Sequence, residues 1–301
     1  MLSKNSHGNL KQIALNQPNI LITKFIQRLR SALFPEAPAP IEISAEQRAI
    51  LTNHVSFYKS LSNDEKVLFE QCCMAFIANT DIEGHNLEVN DTDRLLVASG
   101  SVILAWGFSQ WHYVKVDTVY LVPASFNDNS EFNQHDSNIT GLVGTAHLRG
   151  KMILSRAALH QGFNDNKDKR NVAIHEFAHL IDMADGDIDG LPRQISEQSY
   201  RLPWLELVAR KIKEINSGKS DIRDYGATNN AEFFSVASEY FFEQPKRLKQ
   251  KHPQLYSHLQ RFYKQNRADV HVAERIRKKA PCPCGSGKRY KRCCLKQQTA
   301  R

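Results

Sequence analysis

The chain has no long hydrophobic run. Its longest nearly uncharged stretch, Leu95 to Phe108, covers 14 residues and includes two glycines and two serines. A helix needs about 20 apolar residues to span a bilayer, so we expect no membrane-spanning segment. The first residues (MLSKNSHGNLKQ) contain no apolar segment of the kind found in secretory signals. These two absences predict a cytoplasmic protein.

Cysteine is scarce and unevenly placed. Among the six cysteines, Cys72 and Cys73 are adjacent in an apolar stretch, FEQCCMAFIA, which is typical of small core residues. The other four lie within thirteen residues near the C-terminus: Cys282, Cys284, Cys293 and Cys294. In a cytoplasmic chain such close clustering favours a metal site over disulfides.

Acidic residues are nearly absent from the C-terminal part of the chain. Between Gln244 and Arg301 there are 17 Lys and Arg residues against 2 Asp and Glu residues, whereas the remainder carries a net charge of −7. Such a basic segment is either a solvated helix face or an appendage that attracts polyanions. With 41% hydrophobic and 24% charged residues over 301 positions, the composition excludes a largely disordered chain.

The pattern lacks the regular strand–helix alternation of a doubly wound parallel sheet. Helical periodicity extends over 44–77, 91–108, 170–184, 196–216, 230–242 and 245–265, with Ser62 as a predicted N-cap. Short β-branched segments at 117–122, 141–148 and 151–154 predict a small sheet, in which the last two form a hairpin. Helices before and after a small sheet predict an α+β fold.

Three regions follow from these patterns. Residues 1–40 are expected to be a poorly ordered segment that ends in a Pro-rich linker, FPEAPAPIE. Residues 41–268 form the main domain, in which the polar loop 127–138 is a candidate lid. Residues 269–301 form a basic tail that carries the cysteine cluster.

One motif in the main domain predicts a metal site. The segment NVAIHEFAHLIDM places His175 and His179 four positions apart, so on a helix both imidazoles lie on one face and can bind one ion. Glu176 lies one position round from His175, close enough to reach a water on that ion without ligating it. This arrangement is typical of a zinc hydrolase, in which the carboxylate takes the proton of the metal-activated water. The alternative is two unrelated histidines that happen to be four residues apart.

A catalytic zinc usually has three protein ligands and one open position. Glu232 is the best third ligand, because it opens a strongly apolar helix (AEFFSVASEYFF), where a buried carboxylate is costly unless it meets a cation. Asp182 lies only three residues past His179 and suits a role in orienting an imidazole N–H better than a ligand role. The other acidic candidates are Asp185, Asp187, Asp189 and Glu239, of which the aspartates are equally explained by a Gly-rich turn.

Two further residues could support this site, and the pattern leaves an alternative open for each. Glu239 lies seven residues after Glu232 on the same helix face, and it is either a support behind the ligands or an ordinary surface glutamate. Tyr225 lies seven residues before Glu232. Its hydroxyl could stabilise the oxyanion of a tetrahedral intermediate, or its ring could belong to the core.

The segments NVAIHEFAHLIDMADGDIDGLP and DYGATNNAEFFSVASEYFFEQP resemble the Mlc titration factor A family of zinc peptidases. The similarity extends over about residues 40 to 265, and the second segment is also similar to the protease domain of anthrax lethal factor. The resemblance implies a mostly helical, zincin-like metallopeptidase of the gluzincin type. It assigns His175, His179 and Glu232 as ligands of a catalytic zinc, Glu176 as general base and Tyr225 as an aid to the transition state.

The C-terminal segment APCPCGSGKRYKRCCLKQ predicts a second zinc site. Four thiolates grouped as two pairs match a closed, structural zinc site, and Gly285 and Gly287 allow the turn between the pairs. The segment resembles the SEC-C motif, which implies a docking or adaptor role. The alternative is a redox-labile basic tail without metal. The neighbouring basic residues could also bind ribosomes or other phosphate-bearing partners, but few aromatics are interleaved, so sequence-specific nucleic-acid recognition is not expected.

Two functions therefore compete. The family resemblance implies a peptidase with aminopeptidase-like activity, and it also implies binding to a transcriptional repressor of the Mlc type. The second hypothesis is a non-catalytic binding or adaptor protein that sequesters a repressor, or that docks on translation or secretion machinery through its zinc tail. The first requires Glu176, whereas the second requires the cysteine cluster.

Overall fold

The computed structural model of the protein describes residues 42–108, 115–125, 140–144, 150–164, 168–193 and 198–269, together with Arg289. Within these residues the helices are α1 (Ala45–His54), α2 (Ser56–Lys59), α3 (Asn63–Asn79), α4 (Asp91–Ala105), α5 (Arg156–Asn164), α6 (Val172–Asp182), α7 (Gln198–Asn216), α8 (Asn230–Glu243), α9 (Pro245–Lys251) and α10 (Pro253–Tyr263). The strands are β1 (Asp81–Gly84), β2 (Thr118–Val122), β3 (Gly141–Val143) and β4 (Lys151–Ser155). The predicted α+β fold, mostly helical with a small sheet, is confirmed.

Polar side chains determine where the first helices begin. Ser44 precedes α1 and Ser62 precedes α3, and each exchanges hydrogen bonds with the residue three positions on, Gln47 or Glu65. This reciprocal pair satisfies backbone N–H groups that the start of a helix leaves without partners. The prediction that Ser62 is an N-cap is confirmed.

Two of the predicted helices are interrupted. The span 44–77 is divided because the backbone becomes extended at Val55 (φ −100°, ψ 98°) and again at Ser62. The span 245–265 is divided at His252, since Pro253 occupies the first position of α10 and has no N–H to continue α9. The prediction of one continuous helix over 245–265 was therefore wrong, whereas the break at Ser62 agrees with its predicted role as an N-cap and only the break at Val55 was not predicted.

The sheet has the strand order β1-β2-β4-β3, with β1, β2 and β4 parallel and β3 antiparallel to β4. The predicted hairpin is confirmed for its described part, in which Gly141 pairs with Leu154 and Val143 pairs with Met152. Among the described strands, β3 lies at one edge of this sheet. Strand β1 was not predicted, because only Ile82 of its four residues is buried and the segment shows no β-branched run.

Helix α6 lies at the centre of the domain. All of its residues are buried, and it packs against α4, α8 and the edge strand β3. A Cβ atom at Gly100 of α4 would lie 2.6 Å from the Cβ of Ala173, so this glycine allows α4 to approach α6 closely. The predicted core positions of Cys72 and Cys73 are confirmed, since both side chains are buried.

Several sequence predictions fall outside the described residues. These are the N-terminal segment 1–40, the loop 127–138 and the cysteine cluster of the tail, so they stay predictions. Among the residues that the structure describes, no helix is long and apolar enough to cross a membrane.

Candidate metal centre

Three side chains converge on one face of α6. His175 and His179 are one helical turn apart, and their Nε2 atoms lie 3.2 Å from each other. The Oε2 atom of Glu232 lies 3.0 Å from Nε2 of His175 and 3.4 Å from Nε2 of His179. The three predicted ligands are therefore brought together, and one ligand atom of each lies within 4.8 Å of the other two.

Glu232 reaches this point because of how α8 begins. The side chain of Asn229 caps the helix by accepting the backbone N–H of Glu232 at 2.8 Å, which places Glu232 in the first turn. Helix α8 packs directly against α6, with Phe233 and Phe234 fully buried. The buried apolar residues of α8 thus hold the Glu232 carboxylate against the two imidazoles.

The distances fit a zinc ion. Zinc binds imidazole nitrogen and carboxylate oxygen at 2.0–2.2 Å, so two ligand atoms on a tetrahedral zinc lie about 3.3 Å apart. The separations of 3.0, 3.2 and 3.4 Å between the three donor atoms bracket this value. Two imidazoles with one carboxylate are also a donor set that zinc prefers.

The charges of the surrounding residues favour a cation. Burial by itself lowers the pKa of His175, but its hydrogen bonds with Glu232 and Glu239 outweigh burial and raise this pKa to about 10. Burial raises the pKa of Glu232, but hydrogen bonds with His175 and His179 outweigh it and hold this pKa far below its usual range. With Glu176 also nearby, three carboxylates surround two imidazoles. A divalent cation would neutralise this excess of negative charge.

Glu239 supports His175 from behind. Its side chain is only 2% exposed, and Oε1 lies 2.8 Å from Nδ1 of His175, the ring nitrogen opposite the candidate metal. The other oxygen, Oε2, accepts the backbone N–H of Asn171 at 2.6 Å. The structure therefore resolves the alternative that the sequence left open, since Glu239 is not on the surface. A carboxylate in this position fixes the orientation of the ring and leaves Nε2 free to bind metal.

Glu176 is buried beside the three ligands and does not share their convergence point. Burial raises the pKa of its carboxyl. Strand β3 lies directly against it, because a Cβ atom at Gly141 would be 2.5 Å from Oε1 of Glu176 and 2.6 Å from Val172. Only glycine at this position lets the edge strand approach without displacing the Glu176 carboxylate.

Tyr225 lies at the mouth of the site. Its residue is 52% exposed, and its ring centroid is 5.8 Å from that of His175. Burial of part of the ring, together with the nearby carboxylates of Glu232 and Glu176, raises the pKa of Tyr225 to about 12. The core alternative for Tyr225 is therefore excluded.

Asp182 is buried, but it bonds to a different group from the one expected. Its Oδ2 atom accepts the backbone N–H of Gly190 at 2.8 Å, and burial raises its pKa to about 7. Oδ1 of Asp182 and Nδ1 of His179 are both buried, and within the described part of the chain neither has a hydrogen-bond partner. The structure thus places Asp182 one turn from His179 without a direct hydrogen bond between them.

Two residues of the site were missed by the sequence reasoning. Gly141 carries no signal in its own segment, because its importance depends on packing against α6. Arg223 bonds to Glu239 and lies two residues before Tyr225. In the sequence it looks like any solvated arginine, and the one available signal was that the buried Glu239 requires a positive partner.

Comparison with known proteins supports a metallopeptidase-like domain. The profile of the family described as glucose-regulated metallo-peptidase M90 matches residues 30–264. The SEC-C motif matches residues 279–296, a range that contains the four clustered cysteines. An uncharacterized protein of Synechocystis sp. is 30% identical over 230 residues, which cover 72% of this chain and 82% of that protein.

Proteins named Mlc titration factor A also resemble part of the chain. The protein from Escherichia fergusonii is 30% identical over 159 residues, which cover 49% of this chain and 59% of the relative. The protein from Serratia proteamaculans is 36% identical over 102 residues, or 32% of this chain and 39% of the relative. The matched part thus spans less than two thirds of these two relatives.

Proposed function

Because this chain belongs to the glucose-regulated metallopeptidase family M90, we propose that it is a zinc-dependent peptidase in which Glu176 is the general base. The observation that carries the proposal is the convergence of His175, His179 and Glu232 within metal-binding distance of one point. A bound zinc ion there would acidify a water molecule and polarise the scissile carbonyl. Proton transfer and stabilisation of the oxyanion would be carried out by side chains of the protein.

Glu176 moves the proton in the proposed reaction. Its carboxylate takes a proton from the attacking water and then delivers it to the amine that leaves. A general base works best when its pKa lies near the working pH, and burial shifts the pKa of Glu176 upward in that direction. Gly141 supports this role, since it leaves room for the carboxylate beside strand β3.

Tyr225 and the edge strand would hold the substrate. With a pKa of about 12, the Tyr225 hydroxyl stays protonated at neutral pH and can donate a hydrogen bond to the developing oxyanion. Strand β3 pairs with β4 on one side, and within the described residues no strand pairs with its other side, along which a peptide can add as a further strand. An aminopeptidase-like activity, as the family resemblance implies, is the specific form that we propose.

Metal removal tests this function directly. A strong zinc chelator is expected to reduce peptide hydrolysis to background, and one equivalent of zinc is expected to restore it, because each of the three convergent ligands serves the same ion. The rate of hydrolysis of short peptides with free and with acetylated N-termini is the measurement. Full activity after verified removal of zinc would refute the proposal. Faster cleavage of the acetylated peptides would refute only its aminopeptidase form.

Repressor binding is the second candidate function. The partial similarity to proteins named Mlc titration factor A supports an interaction with a transcriptional repressor of the Mlc type, which would occur in the cytoplasm. Binding does not require proton transfer, so a Glu176→Gln variant should retain it. We propose that the SEC-C motif adds a structural zinc, bound by Cys282, Cys284, Cys293 and Cys294, and that it serves as a docking module.

Truncation after Ala280 separates the two zinc sites. We expect the full chain to contain about two zinc ions and the truncated chain about one, since each ligand set holds one ion. Elemental analysis of the purified proteins gives these numbers. Peptidase activity should survive the truncation, because the match to the peptidase family ends at residue 264. An unchanged zinc content would argue against a zinc site in the tail.

A further inference from the structure

Arg223 provides the positive partner of a buried carboxylate. One of its guanidinium NH2 groups donates to Oε1 of Glu239, the same oxygen that lies 2.8 Å from Nδ1 of His175. The Glu239 side chain is 2% exposed and that of Arg223 is 20% exposed, so the pair is largely removed from water. A carboxylate buried to this degree is strongly destabilised without a counter-charge. The negative charge behind His175 therefore depends on Arg223.

The same arginine belongs to the segment that presents Tyr225. Arg223 directly precedes the short 3-10 helix Asp224–Ala227, in which Gly226 is buried and packs near Val236. Tyr225 is half exposed, so its own packing restrains it little. Its position thus follows from the backbone on either side of it.

The start of this segment is also fixed. The carboxylate of Asp221 accepts hydrogen bonds from the Tyr240 hydroxyl at 2.9 Å and from Nε of Arg247 at 2.8 Å, and it lies 2.8 Å from Nε2 of His252. Asp221 therefore ties the segment to α8, α9 and the turn between α9 and α10. Two residues later, Arg223 ties it to Glu239. These two anchors lie two residues apart, just before the 3-10 helix, and they leave Tyr225 little freedom to move away from the site.

We propose that Arg223 is a positioning residue that links the Tyr225 segment to the metal ligand His175 through Glu239. The proposal rests on the peptidase function for its effect on catalysis, but its effect on metal binding is independent of that function. When Arg223 is lost, Glu239 is left with an uncompensated charge and holds the His175 ring less firmly. The Tyr225 segment loses one of the two contacts that fix it beside α8, the one nearer to Tyr225.

The rate of zinc release tests the link to His175. In the full chain, Arg223→Gln is expected to release zinc to a chelator about 10-fold faster than the wild type, the scale found for partners that orient metal ligands. Arg223→Lys keeps the positive charge but lacks the planar guanidinium group, so its rate of zinc release should lie between those of the wild type and Arg223→Gln. His175→Ala identifies which kinetic phase comes from the cysteine cluster, because only that phase should remain.

Arg48→Gln is the matched control for this measurement. Arg48 also pairs with a buried glutamate, Glu70, at 3.0 Å, but the pair joins α1 to α3 and does not touch the metal ligands. Its zinc release should equal that of the wild type. Equal release from wild type, Arg223→Gln and Arg223→Lys would overturn the proposal, as would equal acceleration by Arg48→Gln. If Arg223→Gln does not fold, the zinc-release rates of Arg223→Lys and Arg48→Gln are compared instead. Faster release from Arg223→Lys supports the proposal, and equal release overturns it.

A double-mutant cycle tests the link to Tyr225. Arg223→Gln should lower kcat by about 10-fold in the wild type but by less than about threefold in a Tyr225→Phe background, because the two residues act through one hydroxyl. Equal losses in both backgrounds would show that Arg223 does not act through Tyr225. If the wild type cleaves no peptide, the proposed function fails, whereas the zinc-release comparison still decides the role of Arg223.

Discussion

Glu176→Gln is expected to lower kcat for peptide hydrolysis by about a thousandfold while the zinc content stays the same. The amide has nearly the shape of the carboxylate but cannot accept a proton, and general base catalysis contributes about 10²–10⁴-fold to a rate. Zinc should remain, because Glu176 lies outside the convergence point of His175, His179 and Glu232. The measurement is kcat together with elemental analysis of the same sample.

Glu70→Gln provides a control with the same chemical change. Glu70 is also buried, and its carboxylate accepts hydrogen bonds from Tyr58 and Arg48, far along the chain from the site. This variant is expected to lose stability but to keep kcat within about twofold of the wild type, since surface and core changes outside a site act mainly on folding. A Glu176→Gln enzyme with full activity would remove Glu176 from the mechanism.

Glu232→Ala is expected to remove the zinc of the catalytic site and, with it, all peptidase activity. Binding free energies of about 10–16 kcal/mol shared among four ligands correspond to roughly 3 kcal/mol for each, so loss of one ligand lowers affinity by a hundredfold or more. The zinc content of the full chain should fall from about two ions to about one. Equilibrium dialysis against a zinc buffer, followed by elemental analysis, measures the change.

The control for this second variant is Glu206→Ala. Glu206 is an exposed glutamate of α7, so its removal changes the net charge equally but leaves the three ligands intact. It should keep both zinc ions and full activity. If Glu232→Ala kept two zinc ions and its activity, the third ligand would have to be another residue.

The local parts of the fold could be predicted from the sequence. The helix that carries His175 and His179 shows its period, its cap and its apolar face within a dozen residues, and the edge strand shows a β-branched pattern next to a turn. The role of Glu232 as a ligand could also be predicted from the sequence, but for a different reason. A single carboxylate at the start of an apolar helix is costly unless a cation is near, so its chemistry pointed to the site without any knowledge of the packing.

The features that could not be predicted from the sequence depend on contacts between segments that are distant along the chain. Strand β1 is four residues long and forms because β2 offers it a partner, since its own residues are mostly exposed. Gly141 and Arg223 act through Glu176 and Glu239, from which they are separated by 35 and 16 positions in the sequence. Periodicity and propensity describe neighbours along the chain, so they contain no information on these pairs.

The division of the predicted helix 245–265 has a local cause in the sequence. Pro253 was visible in the sequence, and proline is favoured at the first position of a helix and disfavoured in its interior. The apolar face of α10, with Leu255, Leu259 and Phe262 buried, continues the period of α9 closely enough to hide the break. Pro253 therefore marks the break, although the apolar period continues across it.

The central claim is that His175, His179 and Glu232 bind one zinc ion. Diffraction from crystals of the full chain, recorded above and below the zinc absorption edge, tests it most directly. We expect an anomalous peak about 2.0–2.2 Å from Nε2 of both histidines and from a carboxylate oxygen of Glu232. Zinc-loaded crystals with no peak between these three side chains, or with Glu232 turned away from the histidines, would contradict the account.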